Sequence, residues 1–307
     1  MHHPECRQCV PAFCLARASR FLLIAVVLIS ALPGRAVSSQ RLVDDLGRVI
    51  VLPSGARRII ALDPTSIEVL YAVGAGARVV ATSTFSNYPP PVRALPKLNA
   101  MDPSREVLTG LRPDLIVLCD QQMTLASANQ KSRLWGIPIY VTNSRTFEDV
   151  EQKIARLGAY FGNPAATKAA ISRMREAARF VHSRVAGRRQ VAVFTVVWPK
   201  PLMTAGAGSF ITSLISMAGG RDVAAHAKPY SEYPVERLLS DNPDLVLTDS
   251  EQLEPTRRAL SGLHLRAIAD GRLCAYPDDL VSRAGPRLGD GLIAIAKLIH
   301  PEAFSSK

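Results

Sequence analysis

The sequence predicts an α/β protein in which two similar lobes are joined by one long, rigid α-helix, with a ligand cleft between the lobes. First, the segment 104–120 recurs as 234–250, at a fixed offset of 130 residues. Second, short apolar runs alternate with helical patterns, which is typical of parallel sheets covered by helices on both faces. Third, the segment 164–186 keeps a helical period with no glycine and with proline only at its first residue.

The repeat pairs SREVLTGLRPDLIVLCD with PVERLLSDNPDLVLTDS. Glu106 matches Glu236, and the Pro-Asp-Leu of 113–115 matches that of 243–245. Each copy predicts a short helix that opens with an acidic residue, a turn at proline and a buried strand. A solenoid needs three or more repeats, so two copies of one unit predict two similar lobes instead.

The N-terminus has the pattern of a secretory signal peptide. Three arginines precede an uncharged apolar run at 21–32, and the small residues of 33–36 follow, which places cleavage after Ala36. A run of 12 residues is too short to cross a bilayer. No cysteine closely follows the run, so we expect no lipid anchor and a soluble mature protein in the periplasm.

The chain is basic, with a formal net charge of +11. Removal of residues 1–36 takes away four Arg and one Glu, which leaves a net charge of +8. No run of Lys and Arg with interleaved aromatic residues occurs, so we do not expect nucleic-acid binding. For an exported protein, this charge fits an anionic envelope or an anionic ligand.

Two of the five cysteines lie in the predicted mature protein. Cys119 and Cys274 fall one in each lobe, whereas the other three precede Ala36. Export would permit a disulfide bond. Nothing in the sequence indicates that the two Cα atoms come within the roughly 7 Å that a disulfide requires, so we predict two buried free thiols.

The N-terminal lobe, residues 37–163, begins with a predicted hairpin over 41–52. Thr65 or Ser66 is the predicted cap of a helix at 67–73, which ends at Gly74. A proline-rich loop over 85–90 follows the second sheet strand and can continue neither a strand nor a helix. The predicted sheet strands are 58–62, 78–82, 115–118 and 137–141.

The connecting helix is predicted over 164–187, with Asn163 as its cap and Pro164 at its first position. Such a helix is about 34 Å long at 1.5 Å per residue. Because a single helix leaves little hinge between the lobes, we expect only a small closure on ligand binding.

The C-terminal lobe, 188–307, repeats the alternation of strand and helix, so both lobes are predicted to be Rossmann-like. The glycine-rich turn at 204–209 lacks the ending of a phosphate-binding loop and is predicted to be a close-packed turn before a helix. The predicted strands and helices are 190–197, 210–218, 245–247, 273–276 and 286–299.

No catalytic constellation stands out. The chain lacks a Gly-x-Ser-x-Gly elbow and a His-Glu-x-x-His motif. The histidines of the mature part are isolated and are predicted to be surface or capping residues; they are His182, His226, His264 and His300. We therefore predict a protein that is not an enzyme. A secreted hydrolase with a site assembled from scattered residues is the alternative.

Residues 57–302 resemble the periplasmic substrate-binding proteins of ABC importers for cobalamin and ferric siderophores, in which one rigid helix joins two α/β lobes. The most specific matches are SNYPP at 86–90, the two repeat copies, TAG at 204–206, AGGRD at 218–222 and SRAGPRL at 282–288. The cobalamin-binding branch is the most similar. The resemblance implies a monomer without a cofactor of its own, which carries a metal chelate to the transmembrane subunits.

The resemblance also implies ligand-binding residues. Phe85 and Tyr88 match positions where the cobalamin branch places aromatic residues against the corrin ring, and Trp198 lies on the facing lobe. The loop of the second lobe that matches the family's binding loop contains Asp279, Leu280, Val281, Ser282 and Arg283.

The nature of the ligand stays open at this level, because Ala100, Cys119 and Leu280 stand where the cobalamin branch would carry Trp. A ferric siderophore would use Arg283 to hold an anionic chelate. Haem would need an axial ligand, for which Tyr88 is the candidate.

Glu106 and Glu236 open equivalent helices, and two interpretations apply. A carboxylate near the positive end of a helix stabilises it by about 0.3 to 1 kcal/mol. In the family that the chain resembles, the matching pair instead docks onto arginines of the membrane subunits, one Glu per subunit. Two acids held at a fixed distance suit a two-fold partner, so we expect the docking role.

Overall fold

The computed structural model describes residues 39–52, 55–120 and 122–305. The predicted signal peptide and its three cysteines lie outside this part of the chain. None of the helices described is long and apolar enough to cross a membrane.

The first half of the described chain forms a hairpin and a five-stranded sheet with its helices. The strands are β1 (Gln40–Val43), β2 (Val49–Leu52), β3 (Ile59–Ala61), β4 (Val79–Ser83), β5 (Lys97–Leu98), β6 (Leu115–Cys119) and β7 (Ile139–Thr142). The helices are α1 (Pro64–Ala72), α2 (Arg105–Leu111), α3 (Leu125–Trp135) and α4 (Phe147–Phe161). The hairpin pairs β1 with β2, as predicted. The sheet order is β5-β4-β3-β6-β7, and all its pairs are parallel.

The second half follows the long helix α5 (Pro164–Val185). Its strands are β8 (Val191–Pro199), β9 (Leu202–Thr204), β10 (Gly220–Asp222), β11 (Ser231–Glu232), β12 (Leu245–Asp249) and β13 (Leu273–Tyr276). Its helices are α6 (Phe210–Met217), α7 (Val235–Asp241), α8 (Leu253–Leu260), α9 (Arg266–Ala269), α10 (Asp278–Val281), α11 (Leu288–Ile299) and α12 (Pro301–Phe304).

The second sheet has a parallel centre and an antiparallel edge. Its order is β11-β9-β8-β12-β13, and β10 adds a parallel pair to β8. Strands β8, β12 and β13 are parallel, whereas β9 and β11 are antiparallel to their neighbours. The prediction of two similar α/β lobes joined by one long helix is confirmed.

Helix α5 begins and ends where its flanking residues predict. The Asn163 Oδ1 atom accepts the N–H of Ala165 at 2.8 Å, and Pro164 occupies the first turn. Its buried face consists of Ala170, Met174, Ala177, Val181 and Val185. This face joins one apolar core that contains residues of both sheets, so the lobes are packed together along the helix.

The Pro-Asp-Leu element of each repeat copy fastens two neighbouring strands at their amino ends. The N–H of Asp114 donates to the carbonyl of Arg58, and the N–H of Asp244 donates to that of Ala192, both at 2.8 Å. Each aspartate carboxylate also accepts backbone N–H groups of the same neighbouring strand, at 2.8 to 3.1 Å. The repeated Pro-Asp-Leu therefore has the same structural role in each lobe, which is to hold two neighbouring strands together.

Two local predictions are wrong. Helix α1 is capped by Asp63, whose Oδ1 atom accepts the N–H of Ser66 at 2.8 Å, and not by Thr65 or Ser66. Asp63 is extended and Pro64 already fits the first helical position, so the helix begins earlier than its apolar pattern indicates. The strand predicted over 190–197 continues through Trp198 to Pro199, because β9 turns back and pairs with the end of that strand.

Candidate ligand-binding cleft

A cavity of about 590 Å³ lies between the two lobes, where the carboxyl ends of both sheets meet. Residues directly after β3 and β6 line it on one side, and residues after β13 line it on the other. Open parallel sheets bind ligands at this edge. The residues that line the cavity include Asp63, Phe85, Cys119, Asp120, Tyr230, Asp278, Ser282 and Arg283.

Aromatic rings line this cleft from both lobes. Phe85, in the loop after β4, is 64% exposed, so its ring is accessible from the cleft. Tyr230 lines the cleft from the C-terminal lobe and has φ = 52°. A bulky residue in this left-handed region is strained, and such strain concentrates at functional sites. Burial raises the pKa of Tyr230 to about 12, so its phenol is neutral at physiological pH.

Tyr88 lies beside the cleft, on the far side of the same loop. Its ring stacks on the guanidinium of Arg287, with the carbon of that group 4.0 Å from the ring centroid. It lines a second cavity, of about 500 Å³, together with Tyr71, Arg173 and Glu68.

Trp198 is half exposed on the C-terminal lobe. Its indole N–H donates to the carbonyl of Lys200 at 3.0 Å, which fixes the ring against the turn between β8 and β9. It is not among the residues that line the cleft in this structure. The aromatic positions expected from the sequence are therefore only partly brought together.

The predicted binding loop of the second lobe divides into cleft and core residues. Ser282 and Arg283 line the cleft. Val281 is fully buried in the core, and Leu280 packs partly against that core. Asp279 forms an ion pair with Arg283.

Arg283 is held by residues of both lobes. Its Nη1 atom donates to Glu68 Oε1 at 3.0 Å and to Asn87 Oδ1 at 2.8 Å. Its side chain is 12% exposed and that of Glu68 is 2% exposed, so the ion pair is largely removed from water. Arg283 therefore already forms ion pairs with two carboxylates, those of Glu68 and Asp279.

A second arginine and a buried lysine also join the lobes. Arg287 donates to both oxygens of Glu68, at 2.7 and 2.9 Å, and this carboxylate raises the pKa of Arg287. The Nζ atom of Lys153, on α4, donates to the carbonyl of Ala284 at 2.8 Å, and Lys153 is 1% exposed. Glu68 and Lys153 were not singled out in the sequence. The only signal that the sequence offers for either residue is a single charged residue on the apolar face of a helix.

The floor of the cleft is built on Asp63 and Cys119. Asp63 Oδ2 accepts the N–H of Cys119 at 2.7 Å, which links the end of β6 to the start of α1. Burial raises the pKa of the Asp63 carboxyl and of the Cys119 thiol. Cys119 and Cys274 are both free, as predicted, but partly rather than fully buried.

Glu106 and Glu236 are exposed second residues of α2 and α7. Because each helix leads directly into a strand of its sheet, its amino end lies at the edge where the strands end. Among the described residues, neither carboxylate has an ion-pair or hydrogen-bond partner. Ser104 stands at the cap position of α2 but its side chain makes no capping bond.

Two α/β lobes joined by one long helix, with a cavity between the lobes, form the arrangement of a two-lobed protein that binds a small molecule in a cleft. A model of the periplasmic binding protein family matches residues 59–263. The chain belongs to this family.

Relatives and solved structures agree with this assignment. The vitamin B12-binding protein of Vibrio cholerae is 27% identical over 251 residues, which cover 80% of this chain and 89% of that protein. The uncharacterised ABC transporter substrate-binding lipoprotein YvrC of Bacillus subtilis is 25% identical over 262 residues, 83% of each chain. The crystal structure of the periplasmic vitamin B12-binding protein BtuF of Vibrio cholerae has a TM-score of 0.70 at 25% identity and covers 81% of this chain and 99% of that one. Periplasmic haem-binding proteins share the fold as well.

Proposed function

We propose that this protein is the substrate-binding subunit of an ABC importer that captures cobalamin or a related corrinoid in the cleft and delivers it to the membrane permease. The observation that carries the proposal is the pair of aromatic rings, Phe85 and Tyr230, that line one cleft from opposite lobes. Aromatic side chains give a flat macrocycle a large contact area with little conformational entropy to lose. The likeness to the vitamin B12-binding protein of Vibrio cholerae, in sequence and in solved structure, supports the same ligand class.

The alternatives receive less support from the cleft. A ferric siderophore would need a cation available to an anionic chelate, but Arg283 already pairs with Glu68 and Asp279. Haem would need an axial ligand. The predicted candidate, Tyr88, packs on Arg287 beside the second cavity, which leaves Tyr230 as the tyrosine of the cleft that could serve. A secreted hydrolase would need a nucleophile and a base, and the family is one of binding proteins.

The remaining predicted contacts belong to the proposal. Ser282 and Arg283 would face the ligand from the second lobe, and Asp279 would orient Arg283. Leu280 and Val281 would support this loop from below. Tyr88 and Trp198 flank the cleft and would contact only the outer parts of a large ligand.

Export completes the proposed function. After removal of residues 1–36, lobes 37–163 and 188–307 would work as a soluble monomer in the periplasm, with the helix over 164–187 holding them at a nearly fixed distance. Glu106 and Glu236 would dock onto arginines of the two permease subunits. Their exposure and lack of partners among the described residues support this role.

Titration of the mature protein tests the ligand. We expect tight binding of cyanocobalamin and cobinamide by calorimetry or absorbance, and weak binding of haemin and ferric siderophores. Tyr230→Ala and Phe85→Ala should each weaken corrinoid binding by about 10- to 100-fold, as central aromatic contacts commonly do. Trp198→Ala should weaken it less.

The matched control is Phe180→Ala, which removes an exposed aromatic ring on α5 that packs on Phe304, away from the cleft. This variant should bind as the wild type does. Tight binding of an iron chelate without corrinoid binding would overturn the proposed ligand.

A further inference from the structure

Glu68 is a buried carboxylate that joins the two lobes. It lies in α1 of the N-terminal lobe, and its side chain is 2% exposed. Its oxygens accept hydrogen bonds from Arg283 at 3.0 Å and from Arg287 at 2.7 and 2.9 Å, both in the C-terminal lobe. A buried charge is tolerated only when it is paired in this way, so separating the lobes would expose or unpair three ionised groups.

The cluster lies between two cavities. Arg283 lines the cleft, whereas Glu68 and Arg287 line the second cavity on the other side. The Arg283 guanidinium also donates to Asn87 and pairs with Asp279. A change at Glu68 would therefore act on the cleft through Arg283, although Glu68 itself does not line the cleft.

The charge of the cleft contrasts with that of the chain. The formal net charge of the chain is +11. Within the described residues that line the cleft, Arg283 is the one cation, against the carboxylates of Asp63, Asp120 and Asp278. Because Glu68 and Asp279 offset the charge of Arg283, an incoming carboxylate would find little free positive charge and would face two rim acids, Asp120 and Asp278.

We propose that Glu68 is a positioning residue that holds Arg283 and masks its charge, so that the cleft selects chelates bearing carboxamides over those bearing carboxylates. This inference rests on the proposed corrinoid function and names its substrate class more narrowly. Carboxamide N–H groups can donate to Asp120 and Asp278, whereas carboxylates would be repelled by them. Selection by repulsion requires that Arg283 stay paired.

The test compares two corrinoids with the same ring. Dicyanocobinamide carries carboxamides, and dicyanocobyrinic acid carries carboxylates at the same positions. Wild-type protein should favour cobinamide by at least about 100-fold. Glu68→Gln should reduce this ratio by at least about tenfold, because it removes one of the two negative charges that offset Arg283 and leaves only Asp279. Arg287→Gln is the matched control: it breaks the same cluster but leaves Glu68 on Arg283, so the ratio should not fall.

Each outcome has a distinct meaning. Equal binding of both corrinoids by the wild type would contradict the proposed selection. If the affinity ratio fell equally in Glu68→Gln and in Arg287→Gln, Glu68 would have only a structural role. Failure of both corrinoids to bind would instead overturn the proposed function.

Discussion

The two copies of the repeated unit follow the same backbone path but are secured differently. Both helices have seven residues, and both end at a residue in the left-handed region, Arg112 with φ = 47° and Asn242 with φ = 37°. In the first copy, a single oxygen of Asp114 accepts the N–H groups of Arg57 and Arg58. In the second copy, Asp244 uses both oxygens and binds two arginine side chains as well as a backbone N–H.

The copies diverge most at the cleft. The last strand residue is Cys119 in the first copy and Asp249 at the equivalent position of the second, and Asp120 is matched by Ser250. They remain alike where each strand is fastened at its amino end and where an exposed Glu begins the helix. The repeated residues therefore belong to the scaffold and the outer surface, whereas the residues at the strand ends beside the cleft differ between the two lobes.

The strongest test of this comparison reverses the outer pair. Glu106→Arg together with Glu236→Arg should abolish ligand uptake in cells that carry the cognate permease, because repulsion would replace charge complementarity at both subunits. Ligand affinity and thermal stability should stay nearly unchanged, since neither carboxylate has a partner among the described residues.

The control for this variant must change the net charge equally. Glu176→Arg with Asp270→Arg does so at two exposed positions, one on α5 and one in the loop after α9. Uptake by this control should be normal. A docking variant that is unstable but competent for uptake would instead support the helix-end role of the two acids.

Much of the scaffold could be predicted because its signals are local. Asn163 and Pro164 mark the start of α5, Gly187 follows its end, and a fixed offset relates the two copies. Helix α4 was missed although Thr146 and Asp149 form a capping box at its start. The predicted end of β8 was wrong, because pairing with β9 extends the strand past Trp198. That pairing is a tertiary contact.

The candidate site could be predicted only in part. Phe85 stands out in a short proline-rich loop, and the resemblance places it at a binding position. Tyr230 lies in a segment without a regular pattern, so its backbone strain is visible only in the structure. The pairing of Glu68 with Arg283 joins residues 215 positions apart, and no local periodicity predicts it.

A second test compares Asp114 and Asp244, the aspartates that hold neighbouring strands together. Asp244→Asn should lower the free energy of unfolding by about 1 to 2 kcal/mol, because an amide nitrogen would replace one of the two oxygens that face Arg189 and Arg266. Asp114→Asn should cost less than about 0.5 kcal/mol, since one amide oxygen can still accept both N–H groups. Denaturant unfolding at pH 7 measures both, and equal losses would contradict the proposed difference.

Asp244 also carries a pH dependence. Burial raises the pKa of the Asp244 carboxyl, but the N–H of Ala192 and the guanidinium groups of Arg266 and Arg189 outweigh burial and hold it below its ordinary value. A carboxyl with a lowered pKa stabilises the fold above its unfolded pKa, and the stabilisation is lost as pH falls through the folded value. Wild-type protein should therefore lose more stability than Asp244→Asn below about pH 4.

A third test concerns the left-handed residues that end α2 and α7. No hydrogen bond or ion pair of the Arg112 side chain occurs within the described part of the chain, and a residue with a Cβ atom is strained at φ = 47°, so Arg112→Gly should stabilise the protein by about 0.5 to 1 kcal/mol. Asn242 tolerates this conformation better, and its Oδ1 atom accepts the N–H of Arg266 at 2.9 Å. Asn242→Gly should therefore destabilise by about 0.5 to 1 kcal/mol, through loss of that bond. Thermal unfolding of the two variants should give shifts of opposite sign, and shifts of the same sign would show that the two helix ends are secured alike.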